Sequence, residues 1–168
     1  WFSGPVRAAN LALANVPISA KWIARIDDDE EWIPSHLEVS IATADCGDFE
    51  FVSSGNLENY TKREPVENLG FHALSPYYYP TLNEADSSSP ILGCTSTWLY
   101  RSYLSKFQYN LDSWRKSHNR VNDIDFRLRL YEAGVRIGHT GRCGVITTAR
   151  GEDDMIGIQA YLKEGDNS

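Results

Sequence analysis

Lys21 to Pro34 reads KWIARIDDDEEWIP, and the rest of the chain is best understood outward from it. Trp22, Ile23, Ala24 and Ile26 form a short apolar run with β-branched and aromatic content, the composition of a strand buried in an α/β sheet. The run ends in five acids, Asp27, Asp28, Asp29, Glu30 and Glu31. In open α/β sheets ligands bind outside the carboxyl ends of strands, so these carboxylates stand where chemistry is expected. Extended backbone carried through the acids would turn Asp27 and Asp29 to one side and Asp28 to the other. Two hard oxygen ligands on one side, beside a third carboxylate, suit Mg²⁺ or Mn²⁺ carrying a substrate diphosphate. Acidic runs are otherwise solvated turns. Here Trp32, Ile33 and Pro34 frame the acids in a defined turn.

On either side of this stretch the periodicity is helical. Gly4 to Val16 places Val6, Ala9, Leu13 and Val16 on one face, with Pro5 where a first turn tolerates it. Pro34 to Asp45 repeats the pattern with Leu37, Ile41 and Ala44, starting near Pro34 or Ser35 and stopping before Gly47. Asp48 to Ser53 then alternates as a strand. Helix, strand, acidic turn, helix and strand in succession predict an α/β sheet.

From Gly55 to Pro90 the regular signals fade, and the stretch carries four prolines, Tyr77-Tyr78-Tyr79 and the polar cluster Asp86 to Ser89. So long a segment without periodicity reads as a binding loop or lid, its tyrosines offering flat platforms for sugar rings or other amphipathic substrates. Ile91 to Tyr100 is strand-like and Arg101 to Phe107 a short helix. Asp112 to Asn122 resembles neither core helix nor core strand. Asn122 to Gly134 is helical, with Ile124, Leu128 and Tyr131 on one face and Gly134 as terminator. Val135 to Thr140 and Val145 to Thr148 read as two short strands joined by a turn around Gly141.

Composition narrows the function classes. The 168 residues contain 42% hydrophobic side chains and carry a net charge of −7, with a pI near 5.0. No basic stripe is present to neutralise phosphates, which excludes nucleic acid as the main partner. Cys46, Cys94 and Cys143 are widely spaced and form no CxxC pair, the pattern of buried thiols in a reducing compartment. No apolar run approaches the roughly 20 residues needed to span a bilayer. The expected setting is therefore cytoplasmic, with association at the inner face of a membrane as its variant. The predicted organisation is a catalytic core over residues 1–150 followed by a tail or short helix over 151–168.

These motifs, in order over roughly residues 4 to 140, resemble the family 2 inverting glycosyltransferases of the GT-A fold. Gly4 and Asn10 match a GxxxARN-like helix, with Ala9 where arginine is usual and Arg7 three residues before Asn10. Asp27, Asp28 and Asp29 match the DXD region, and Trp32 and Pro34 its tail. Asn122-Asp123 stands where Glu-Asp is common; Arg129, Leu130 and Gly134 follow in register. The resemblance implies a GT-A-like (Rossmann-like) mixed α/β sheet flanked by helices. Its N-terminal strand, helix and strand, which hold the uracil and ribose in such enzymes, are missing before Trp1.

The implied reaction is transfer of a sugar from a nucleotide-sugar donor, a UDP-sugar, to a hydroxyl of a carbohydrate, lipid-linked or protein acceptor. Inversion needs a base on one face of the anomeric carbon and charge stabilisation for the leaving diphosphate on the other. The resemblance assigns the base to Asp123, with Asp125 as the fallback. Asp29 and Asp27 become the Mn²⁺ or Mg²⁺ ligands, and Asp27, Asp28, Asn10 and Arg7 the donor-binding residues. His139, after the strand that follows the Asp123 helix, is the histidine expected to complete the metal shell, ahead of His118, His36 and His72. Arg101, Arg120 and Arg150 are candidate phosphate donors. Two other readings stay open, a nucleotidyltransferase and an inactive nucleotide-sugar-binding relative. The first lacks a Gly-rich, Lys-bearing phosphate loop.

Overall fold

The computed structural model describes residues 4–59, 66–68, 94–112 and 122–148. The apolar run after Lys21 becomes β1 (Trp22–Ala24), preceded by α1 (Gly4–Ala14). The last two acids of the run open a strand: Glu30, Glu31 and Trp32 form β2 (Glu30–Trp32). There follow α2 (His36–Gly47), β3 (Phe51–Asn59), β4 (Val66–Asn68), a 3-10 turn at Thr95–Thr97, β5 (Trp98–Arg101), a second 3-10 turn at Ser102–Phe107, α3 (Asn122–Glu132) and β6 (Ile137–Thr148). The expected loop over residues 55–90 therefore begins inside β3, and Val66–Asn68 pairs with that strand. The remainder of that loop, including the tyrosine triplet, lies outside the described residues. So do residues 113–121 and the tail over 149–168.

The six strands form one mixed sheet in the order β1-β5-β3-β6-β2, with β4 against the far end of β3. β1, β3 and β6 run parallel to one another; β2, β4 and β5 run against them. β1 and β2 stand at opposite ends of this order although only residues 25–29 join them. The acidic segment between them is held by Cys94, Thr95 and Ser96, just ahead of β5.

Strand alternation divides the residues between two faces. The rows Tyr100-Phe51-Ile137 and Trp98-Ser53-His139 share one face, and the row Leu99-Val52-Gly138 lies on the other. Val6 and Leu13 of α1 and Phe126 and Leu130 of α3 cluster with Phe51, Trp98, Tyr100, Ile137 and Tyr109. Phe126 is the hinge of the packing: Tyr109 stacks on it at 4.6 Å and Trp98 at 6.2 Å between ring centroids. The second cluster holds Ala44, Phe49 and Val52.

The buried face of α2 differs from the expected one. Leu37 and Ile41 are partly exposed, whereas His36, Ser40 and Ala44 are buried. Small contacts let the helix approach the sheet closely: a Cβ on Gly144 would lie 2.3 Å from His36 Nδ1. Gly47 is the last residue of α2, and the left-handed cap is Asp48 (φ 50°). The glycine is required for a different reason. Its missing side chain makes room for Phe49, whose ring would lie 2.1 Å from a Cβ there.

β6 corrects the expectation of two short strands. It is one strand, and the predicted turn is a bulge: β3 pairing steps from Ser53↔His139 to Gly55↔Cys143, leaving extra residues on β6. Gly141 takes φ 68°, and Thr140 Oγ1 accepts from the Arg142 N–H at 3.2 Å. A bulge and a turn use the same residues, which is why sequence alone does not separate them.

Candidate active site

Three elements meet at a cleft of about 200 Å³: the first turns of α1 (Pro5, Val6, Ala9), the end of β1 with its neighbours (Arg25, Thr95, Tyr109), and the start of α3 (Asn122, Asp123). Asp123 is half-buried in this wall. α3 is held there by Phe126 and Leu130 in the core and stopped by Gly134 at φ 77°.

The acidic segment is pinned beside the cleft by Ser96. The Asp27 backbone N–H donates to Ser96 Oγ at 2.9 Å, and Trp32 Nε1–H donates to the Ser96 carbonyl at 2.8 Å. The Glu30 N–H closes a turn onto the Asp27 carbonyl at 3.2 Å, with Asp28 and Asp29 at its exposed tip. This turn overturns the expectation that Asp27 and Asp29 alternate along one strand. Like charges concentrated in a short loop are better solvated at a tight bend than aligned along a strand face.

Asp27 is engaged from within the protein. Arg25 Nε and Nη2 both donate to its Oδ1, at 3.0 and 2.6 Å, and Thr95 Oγ1 lies 3.5 Å from its Oδ2. Burial opposes the charge on Arg25, but the Asp27 carboxylate outweighs it and the guanidinium pKa is raised. The Tyr109 phenol interacts with the same guanidinium, and burial pushes that phenol up. On the far side of the turn, Glu30 accepts from Cys94 Sγ at 3.7 Å. Burial and then Glu30 push the Cys94 thiol up to about 12, which keeps it protonated and unreactive.

The other expected site residues are dispersed. Asn10 bonds the main chain of Tyr109 in both directions, Tyr109 N–H to Oδ1 at 2.6 Å and Nδ2–H to the Tyr109 carbonyl at 2.8 Å. Arg7 is exposed on α1 and does not line the cleft. Asp125 is 1% exposed and pairs with Arg129 Nε at 2.9 Å, while Arg129 also donates to the carbonyls of Phe107 and Gln108. That ion pair anchors α3 to the 3-10 segment. Arg101 lies over Trp22 at 3.9 Å, at the end of β1 remote from the acids.

His139 is 4% exposed, shares a sheet face with Ser53 and Trp98, and its Nδ1 accepts from the Gly141 N–H at 2.9 Å. Burial lowers its pKa. His36 is buried at the start of α2, and His72, His118, Arg120 and Arg150 lie outside the described residues. Among the described residues no group of three or more His, Cys, Asp or Glu side chains is arranged to hold a metal by itself. A cation at the turn would therefore be held by one or two carboxylates and completed by a substrate diphosphate, a mode that hard cations commonly adopt.

Arg25, Tyr109, Thr95 and Ser96 were not marked out by the sequence motifs. The signal for Arg25 was present, a lone guanidinium inside an apolar run next to acids. Tyr109 carried none, because its partners stand far away along the chain.

Neither protein-family models nor curated proteins give a match to this chain. Among solved structures it is similar to TarS residues 1–349 of S. aureus, with a TM-score of 0.60 and 18% identity over 86% of this chain and 40% of that one. It is similar also to TarS 1–349 in complex with UDP-GlcNAc, with a TM-score of 0.58 and 17% identity over 92% of this chain and 42% of that one. The chain thus spans about two fifths of the length of these neighbours. The likeness identifies the fold as a GT-A-like mixed α/β sheet flanked by helices.

Proposed function

We propose that this chain is the catalytic part of a glycosyltransferase that takes a sugar from a nucleotide-sugar donor, a UDP-sugar, and passes it with inversion to an acceptor hydroxyl. The observation that carries the reading is the cleft itself, which Asp123 at the start of α3 lines together with Arg25, whose guanidinium pairs with Asp27 of the acidic turn. The likeness to a structure holding UDP-GlcNAc supports the donor class.

In this reading Asp123 accepts the proton of the acceptor hydroxyl. Its helix is fixed by packing, so the carboxylate has little freedom to wander, as a positioned base requires. Asp29, with Oδ2 of Asp27, would hold Mn²⁺ or Mg²⁺ on the donor diphosphate. When bound, such a cation neutralises charge on the leaving group. Asp28 adds to the negative field that draws the cation in, and the Tyr109 and Thr95 side chains narrow the cleft. Asn10 acts through Tyr109 rather than on the nucleotide, and Asp125 holds the helix that carries the base. The three free thiols fit a cytoplasmic setting, and no described helix is long and apolar enough to cross a membrane.

The test is titration of the protein with UDP-GlcNAc and related nucleotide sugars in the presence and absence of Mn²⁺, followed by measurement of released UDP. Metal-enhanced binding with UDP release supports the reading. Binding without turnover, even with acceptor sugars present, would identify a nucleotide-sugar-binding relative, and release of inorganic diphosphate a nucleotidyltransferase.

A further inference from the structure

Arg25 Nε and Nη2 both donate to a single oxygen of Asp27. A guanidinium facing a carboxylate ordinarily spreads its donors over both oxygens. Here Oδ1 takes both bonds, and Oδ2 is left beside Thr95 Oγ1 at 3.5 Å, too long for a strong bond. The guanidinium is itself fixed from behind. Tyr109 meets it with its phenol, stacks its ring on Phe126 and has its backbone clamped by Asn10 in α1. A line of contacts therefore runs from α1 through Tyr109 and Arg25 to the acidic turn.

We propose that Arg25 is a positioning residue for the donor site: it sequesters Oδ1 of Asp27 so that the carboxylate presents Oδ2 alone, as a single-oxygen ligand, to the cation on the donor diphosphate. This rests on the function proposed above. It adds that Asp27 cannot chelate through both oxygens, and that the geometry of the acidic turn is set by the residue that follows β1. The same pairing offsets one negative charge in a segment where five acids follow one another. It lets the turn keep its shape before any cation arrives.

The experiment measures Mn²⁺ affinity by electron paramagnetic resonance of the free ion, with and without UDP, in the native protein and in Arg25→Gln, Arg25→Lys and Tyr109→Phe variants. Arg25→Gln is expected to weaken Mn²⁺–UDP binding at least tenfold, with donor KM raised more than kcat is lowered. Arg25→Lys keeps the charge but lacks the two-pronged fork, so it should recover part of the loss, and Tyr109→Phe should give a smaller loss of the same sign. Folded Arg25→Gln protein with affinity within twofold of the native value overturns the proposal. Should the loss of charge unfold the chain, Arg25→Lys at native affinity overturns it equally. Native protein that binds neither UDP nor Mn²⁺–UDP overturns the donor reading itself, and this inference with it.

Discussion

Asn10 and Tyr109, 99 residues apart, exchange two hydrogen bonds in which the Asn10 amide both donates to and accepts from the Tyr109 main chain. One side chain thus satisfies both backbone polar groups of a residue that lies outside any regular element. Leaving those groups unpaired in a half-buried setting costs about 1–3 kcal/mol. Asn10→Ala should therefore lower stability by roughly that amount in urea titration. Donor affinity should fall only as far as Tyr109 loosens. Unchanged stability beside a large loss of donor affinity would instead make Asn10 a direct ligand contact.

The two acids of the first turn of α3 should separate cleanly on substitution. Asp123→Asn is expected to fold normally while lowering sugar transfer by roughly 10²- to 10⁴-fold, the scale of a lost general base. Asp125 is buried against Arg129, so Asp125→Ala should cost about 3 kcal/mol or more by leaving the guanidinium without its carboxylate. Turnover per folded molecule should survive. Denaturant melts read beside single-turnover rates check the pair, and the reverse pattern would move the base two residues along.

His36 predicts an acid-labile fold. It is buried against Trp32 and Gly144, in a cavity that Arg142 and Cys143 also line, and burial lowers its pKa from 6.5. The folded chain then holds His36 neutral while the unfolded chain takes up a proton below about pH 6.5. Stability should therefore be full above that value and fall as pH drops towards the folded-state pKa. The slope from this one group is at most about 1.4 kcal/mol per pH unit. Denaturation midpoints followed from pH 8 to 5 should flatten in His36→Gln; an unaltered slope there would show that other groups carry the acid sensitivity.

Gly138 has no room for a side chain, because a Cβ would sit 2.3 Å from the Phe49 ring. Gly138→Ala should destabilise by about 1–3 kcal/mol, as overpacking of a filled core does. Phe49→Leu in the same chain should relieve part of that penalty. Thermal melts of the two single variants and the double one measure the coupling directly, and strict additivity would exclude the contact as its cause.

Much of this architecture was legible in the sequence. α1 buries the Val6 and Leu13 that its spacing marked, α3 stops at Gly134, and the strand before the acids is β1. The errors share a physical origin. β2 is a short edge strand, two acids and a tryptophan, with no apolar run by which a strand is recognised. α2 buries His36 and Ser40 in place of Leu37 and Ile41 because close approach to β6 favours the slimmer face. Within the candidate site, Asp123 and the acidic turn announced themselves by charge and spacing. Arg25, Tyr109 and Ser96 did not, since their importance comes from partners that only the folded chain brings near.

The placement of β1 and β2 at opposite ends of the strand order has a consequence for how this chain can vary. Across a flat sheet four strand intervals amount to about 19 Å. Residues 25–29 join the two edges, and the turn from the Asp27 carbonyl to the Glu30 N–H holds its own two ends within about 7 Å. Three extended steps from residue 24 to residue 27 add about 10 Å, so the link falls short of the width of a flat sheet, and the sheet must curl to bring β1 and β2 within its reach. Exchanging one of its acids alters chemistry and leaves the span intact. Deleting one would break the turn and pull β2 off β6 or draw β1 out of register, so the natural variants of this segment should differ in letters and hardly ever in number.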